Sequence, residues 1–255
     1  MPLYILPVFG AILGAIIGSF LATLVVRWPE GRSVMAGRSQ CDNCGHQLRA
    51  MALIPVVSYL VQSGKCRQCG QKINPDHLAI EAMAAIIGAT ALFAVPGVAG
   101  FAGAILGWIL LALAALDAKH HWLPDRLTFL LASSGLLATV AIPEPDIWDR
   151  LIGGVAGYMS LFLIAAAYRF VRKRDGLGGG DPKLLGAIGC WLGWMALPAV
   201  LLGASLIGLI AILRMKLTGT EITARSALPL GSFMAIAGFP IWLLQTAMGS
   251  SIFVS

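Results

Sequence analysis

Long apolar stretches, separated by short polar ones, run through almost the whole chain. A helix needs about 20 mainly apolar residues to cross a hydrocarbon layer of roughly 30 Å. Stretches of that order cover residues 3–26, 78–95, 98–116, 127–142, 151–168 and 228–248. One more, 184–213, is long for a single crossing and short for two. Pro198, just after Gly193 and Trp194, marks a place for a tight hairpin or a break there. The alternating ten-residue pattern of a membrane barrel is absent. The pattern therefore predicts an all-α, polytopic membrane bundle of about eight transmembrane segments, whose helices satisfy their own backbone groups in lipid. It reads as a single membrane domain over 1–255, with one long polar insertion at 27–77 between the first and second segments.

Composition narrows this further. Hydrophobic residues make up 58% and charged residues 12%, about half the charged share of a soluble domain. A disordered tail, a collagen and a disulfide-stapled secreted module are excluded. If 184–213 is a hairpin, 17 of the 18 Lys and Arg residues fall on one side. The other side has Arg150 alone, beside Glu144, Asp146 and Asp149. Basic loops stay in the cytoplasm, so both termini are expected to face outward. The net charge of +6 is thus a topology signal and does not point to nucleic acid as a partner. No basic residue precedes the first apolar run, which reads as an uncleaved anchor and not a removable signal peptide.

The insertion holds Cys41-Asp42-Asn43-Cys44 and Cys66-Arg67-Gln68-Cys69, two C-x-x-C knuckles separated by 21 residues. Gly45 and Gly70 follow directly, where each tight turn needs a permissive residue. This is the layout of a zinc ribbon with slightly lengthened spacing, and four thiolates around Zn²⁺ make a closed, structural site. Two disulfides are the other reading, against which a reducing cytoplasm argues, and iron suits the same ligands. An insertion of about 50 residues with few core side chains has use for a metal staple. His46 is a substitute ligand or an exposed polar residue, and Cys190 lies in an apolar segment where it reads as packing.

Of the twelve acidic residues, three are not easily placed in solvated loops. Asp117 ends a segment that carries no charge from Val98 onward. Asp181 follows Gly178-Gly179-Gly180 and precedes Pro182-Lys183, where the chain re-enters the membrane. Glu81 lies about one turn into the second segment, as a partner for a lysine or a hydrogen-bonded core group. Ionisable groups at such depth are costly and point to function. The topology puts Asp117 and Asp181 at one membrane face on different helices. Two such carboxylates cannot both ionise readily, and a pair sharing one proton can activate a water while polarising a carbonyl. The glycines give a backbone able to reach the pair or to meet an extended substrate. Each aspartate also has a plain structural reading: Asp117 as a helix end paired with Lys119, Asp181 as an ordinary helix start. His120 and His121 with Asp125 lack any familiar metalloprotease spacing and read as interfacial loop residues, while Trp122, Trp191 and Trp194 suit the interface.

With these residues in hand, the chain resembles the bacterial type IV prepilin peptidases, aspartic proteases of the G-x-G-D class that are also N-methyltransferases. Gly18-Ser19-Phe20-Leu21 closes the first segment as in that family, and the cysteine knuckles stand in its first cytoplasmic loop. Ile54-Pro55-Val56-Val57-Ser58-Tyr59-Leu60 matches its I-P-x-x-S-x-x segment. Asp117, eight residues before the Asp125 of Leu123-Pro124-Asp125, matches the first catalytic position, and Gly178-Gly179-Gly180-Asp181-Pro182-Lys183 matches the G-x-G-D-x-K motif with the second. Leu228-Pro229-Leu230-Gly231-Ser232-Phe233 is similar to the family's L-P-F-G-P-F, with Ser232 where proline is common. Lys119 stands where the family often has a second acidic residue.

The resemblance implies Asp117 and Asp181 as catalytic residues, with Gly178, Gly180, Lys183, Glu81 and Asp125 supporting them and Cys41, Cys44, Cys66 and Cys69 holding a structural Zn²⁺. It implies a multi-pass protein of the bacterial inner membrane, with periplasmic termini and the site at the cytoplasmic face. Its partners would be membrane lipid and the helices of type IV prepilins or type II secretion pseudopilins, cut after a glycine that follows a short basic leader. Methylation of the new N-terminus from S-adenosylmethionine is implied as well. Two readings from other classes stand beside it: a transporter, which should show paired inverted halves, and a non-catalytic scaffold that recruits a partner through its metal loop.

Overall fold

A computed structural model of the protein describes residues 5–34, 44–47, 55–174, 176–219 and 228–247. These residues form α1 (Ile5–Arg27), α2 (Val57–Val61), α3 (Pro75–Ala94), α4 (Val98–His120), α5 (Asp125–Leu137), α6 (Ile147–Arg172), α7 (Asp181–Leu192), α8 (Leu197–Leu217) and α9 (Leu230–Ala247). Among them β character is confined to isolated bridge positions, Lys65 with Lys72 and Gln47.

Within the described residues each predicted apolar stretch holds a helix, or two in the case of 184–213, and six helices (α1, α3, α4, α6, α8 and α9) are long and apolar enough to cross a membrane. The expected eight segments thus resolve into six of spanning length and two short ones. At 1.5 Å per residue, α5 with 13 residues and α7 with 12 reach only about 20 Å. The 184–213 stretch divides where the hairpin reading placed the break. Gly193 has φ +75, a left-handed conformation that stops α7, and α8 then starts with a proline in its first turn. The protein is a multi-pass membrane protein.

The chain divides into two compact units, residues 1–112 and 113–255. In the first, α1 lies against α3 along Gly10, Gly14 and Gly18. A Cβ on Gly10 would run into the Gly88 carbonyl, and one on Gly14 into the Ala84 carbonyl. Small residues four apart let two backbones approach this closely, as membrane helices do when no hydrophobic force separates helix from lipid. Trp108 Nε1 of α4 donates to the Ala84 carbonyl at 2.9 Å, which fixes α4 to the same pair.

The second unit packs α7 among its neighbours. Its twelve residues are almost all buried, against α6 along Gly153 and Gly157 and against α5 at Gly135. Arg150 is not the outer-loop charge that the topology count suggests. It lies in the first turns of α6, is 1% exposed, and donates to the carbonyls of Gly135 (2.8 Å), Ile142 (3.1 Å), Pro145 (2.9 Å) and Trp191 (3.1 Å). A buried guanidinium needs acceptors, and helix C-termini supply carbonyls that lack intrahelical partners.

Candidate active site

Three helix ends of the second unit build one site. The last turn of α4 carries Asp117, the first residue of α7 is Asp181, and the first turn of α9 brings Gly231 and Ser232. Both aspartates are 6% exposed.

Asp181 is placed by the run of glycines before it. Its Oδ2 accepts the Gly178 amide at 3.1 Å, and its own amide donates back to the Gly178 carbonyl at 3.2 Å. The turn can close this tightly because Gly180 has no side chain, since a Cβ there would lie 2.7 Å from that of Leu123. Pro182 then opens α7 at the one place where a helix tolerates it.

Asp117 is held by α9. Its Oδ2 accepts the Ser232 amide at 2.6 Å and lies 3.0 Å from the Ser232 hydroxyl. The first amides of a helix have no intrahelical acceptor, so a carboxylate there meets an unfilled demand. Glycine at 231 permits the approach, because a Cβ would sit 2.9 Å from Asp117 Oδ2. The Gly231 amide in turn acts on Asp181, lowering its pKa. Successive amides of one helix start thus engage the two carboxylates.

The pair is electrostatically coupled. Asp181 opens a helix too short to span, and its pKa is pushed up to about 6, first by burial and then by the charge on Asp117. The Gly178 and Gly231 amides pull the other way. Such a carboxyl group keeps its proton up to about pH 6 beside a second carboxylate, a condition for acid–base work on one water.

Both aspartates line a cavity of about 970 Å³ with His121, Trp122, Leu123, Asp125, Tyr168, Arg174, Lys183, residues 176–180 and residues 228–230. Lys183 Nζ bridges to Asp125 Oδ1 at 2.6 Å, which joins the first turns of α7 and α5 at the exposed rim. The structure therefore brings Asp117, Asp181, Gly178, Gly180, Lys183 and Asp125 around one space. Glu81 belongs to the first unit, where it is the hydrogen-bonded core group: its Oε2 accepts the Val56 amide at 2.7 Å. Val56 has φ +60, rare for a β-branched residue, with its amide bonded to Glu81 and its carbonyl to the Leu60 amide. Sequence reasoning passed over Ser232 as a mere departure from a motif, and passed over Tyr168 and Arg174, whose OH and Nε lie 3.2 Å apart. A hydroxyl in the first turn of α9, followed by apolar residues as far as Leu244, was the signal for Ser232.

In the insertion, the Sγ atoms of Cys44, Cys66 and Cys69 all lie within 4.8 Å of one another. Thiolates around one tetrahedral metal sit roughly 3.8 Å apart, so the set fits a metal ion. The second knuckle closes by hydrogen bonds from the Cys66 amide to the Gln71 carbonyl (2.8 Å) and from the Gly70 amide to the Cys66 carbonyl (2.9 Å). Gly45 and Gly70 have φ of +68 and +71, the left-handed turn foreseen for them. Cys41, the fourth expected ligand, lies outside the described residues. His46 is exposed and is not one of the three clustered donors.

Comparison with known proteins bears on the whole chain. Residues 12–95 match the Bacterial Peptidase A24 N-terminal domain, and residues 104–213 match the Type IV leader peptidase family. A protein of Aeromonas salmonicida named prepilin leader peptidase/N-methyltransferase is 36% identical over 211 residues, covering 82% of this chain and 72% of the relative. Relatives of the same name occur in Dichelobacter nodosus, 35% identical over 85% of this chain and 74% of its own, and in Pseudomonas aeruginosa, 33% identical over 89% and 87%. No solved structure matches. With both halves of the chain matched in order and the paired aspartates gathered by three helix ends, the chain belongs to the Type IV leader peptidase family.

Proposed function

We propose that the protein is an aspartic endopeptidase that removes the basic leader from type IV prepilins or type II secretion pseudopilins, with Asp117 and Asp181 as its catalytic pair. The observation that carries this reading is the meeting of two buried, mutually interacting carboxylates from separate helices on one cavity. One aspartate takes a proton from water while the protonated partner polarises the scissile carbonyl, and no covalent intermediate forms. The other end of the substrate explains the location. A basic leader stays in the cytoplasm, so the bond to be cut lies at the inner interface of the membrane, the side on which both termini of this enzyme do not lie. A helical peptide bond must unwind before water can reach it, and a glycine at that point lowers the cost.

Purified enzyme incubated with a prepilin tests this directly by product mass. Asp117→Ala and Asp181→Ala should each abolish leader removal, by about 10³-fold or more, while the protein still inserts in the membrane. Near-normal processing by either variant removes the dyad from consideration.

We also infer that Zn²⁺ occupies the cysteine cluster as a closed structural site, with Cys41 completing Cys44, Cys66 and Cys69 and stapling the cytoplasmic insertion at 27–77. The relatives' name extends to N-methylation, which would place a methyl group from S-adenosylmethionine on the new N-terminal amine. The described residues contain no β-strand, so a Rossmann pocket does not hold that cofactor among them, and no step of the cleavage runs through it. A mass increase of one methyl on processed substrate is the measurement for that activity.

A further inference from the structure

Ser232 is the one polar side chain at the start of α9 that touches the dyad, and the chemistry of cleavage does not by itself ask for it. Its position gives it two donors. The amide is in the first turn of the helix and has no backbone acceptor to lose, so its 2.6 Å bond to Asp117 Oδ2 is unconditional. The hydroxyl has one proton, which it shares between Asp117 Oδ2 and the Ala114 carbonyl one turn earlier in α4, each 3.0 Å away, and so ties the carboxylate to its own helix. Ser232 is 2% exposed, so neither bond competes with bulk water.

These bonds occupy one oxygen of Asp117 and leave the other. Oδ1 accepts no hydrogen bond from the described residues, yet no buried oxygen of theirs lacks a partner. Oδ1 is therefore open to the cavity that Asp117 lines. A carboxylate on a helix end otherwise rotates about two bonds. Pinning Oδ2 from a neighbouring helix removes that freedom and turns a chosen oxygen toward the reacting water.

We propose that Ser232 is a positioning residue for cleavage: through its amide and hydroxyl it locks Oδ2 of Asp117 so that Oδ1 alone faces the hydrolytic water. The proposal rests on the dyad reading above.

The test uses full-length enzyme in liposomes and a synthetic substrate with a basic leader, a glycine and a hydrophobic helix, comparing Ser232→Pro, Ser232→Ala, Ser232→Thr and Asp117→Asn. A first-turn proline keeps the helix and removes both donors. Ser232→Pro should lower kcat about tenfold with KM unchanged, since orientation is lost and binding is not. Ser232→Ala should fall between Pro and wild type, and Ser232→Thr should return kcat toward wild type. If Ser232→Pro does not fold, as its thermal unfolding would report, the Ala and Thr pair carries the comparison alone. Wild-type kcat in both Pro and Ala variants, or a rise in KM without loss of kcat, overturns the proposal while an inactive Asp117→Asn leaves the dyad reading standing. Cleavage by Asp117→Asn would instead bring down the dyad reading and the lock with it.

Discussion

Two opposing influences meet at the Asp181 carboxyl group. Burial and the neighbouring charge of Asp117 lift its pKa from the ordinary aspartate range to about 6, against the pull of two backbone amides. A raised pKa means that the proton is retained to higher pH than on a surface aspartate and is lost as pH rises through about 6. In the proposed dyad one proton polarises the carbonyl, so kcat/KM for the free enzyme should decline on the alkaline side with a midpoint near 6. This limb is a property of the pair, as coupled groups titrate together. A profile flat from pH 5 to 8, an interval taken about that midpoint, would mean that Asp181 carries no essential proton. Arg150 is the residue whose role the sequence hid. Nothing in a lone arginine near three acids says that it lies inside the bundle on the carbonyls of Gly135, Ile142, Pro145 and Trp191. Arg150→Met keeps the length and removes the donors. Each orphaned carbonyl costs about 1–3 kcal/mol, so detergent-solubilised protein should unfold at a clearly lower temperature, with Asp117 and Asp181 untouched. Unchanged unfolding would show that water can replace the guanidinium.

At the scale of elements, two helix pairs depend on residues too small to interfere. Gly10, Gly14 and Gly18 recur every four residues on α1 and put its backbone against that of α3. The apolar pattern predicts both helices, but it does not say which face meets which, because lipid and neighbouring helix are equally apolar. Only the glycine spacing carried that information, and it went unread among thirty glycines. Gly14→Leu puts a side chain into the Ala84 backbone, and about 1–3 kcal/mol or more of overpacking follows. The first unit should then lose protease resistance, while Gly31→Ala, next to open space but at φ +69, should show only a modest conformational penalty. Equal behaviour of the two variants would remove close packing as the reason for Gly14. The short helices follow a different logic. α7 is buried on nearly every side, so it needs no lipid-spanning length, and its apolar run merged with that of α8 until the left-handed turn at Gly193 separated them.

On the scale of the molecule, α6 and α8 present much of their apolar surface outward, with Phe170 and Leu217 among the most exposed side chains. In a helix bundle that surface belongs to lipid. The insertion is held differently, through the cluster of Cys44, Cys66 and Cys69 and the bond from Val56 to Glu81. With the proposed Zn²⁺ at this cluster, chelation should loosen the insertion before it affects the helices, since thiolates gathered this closely would repel one another without a cation. Proteolysis at 27–77 should accelerate with chelator and in Cys66→Ser, and added Zn²⁺ should restore only the chelated wild type. Equal cleavage rates with and without chelator would argue that the cysteines need no metal for their arrangement.

The order of apolar segments, the cysteine knuckles, the two aspartates and the glycines before Asp181 were all legible along the chain, because each is a local pattern with a local physical cause: segment length against bilayer thickness, turn geometry, the cost of charge at depth. What the tertiary structure alone decided is which atoms meet across elements. That Ser232 of α9 reaches Asp117 of α4, that Arg150 faces inward, and that Glu81 accepts the Val56 amide are contacts between residues 115, 41 and 25 positions apart. No periodicity spans such distances, and only the packing of helix ends could bring them together.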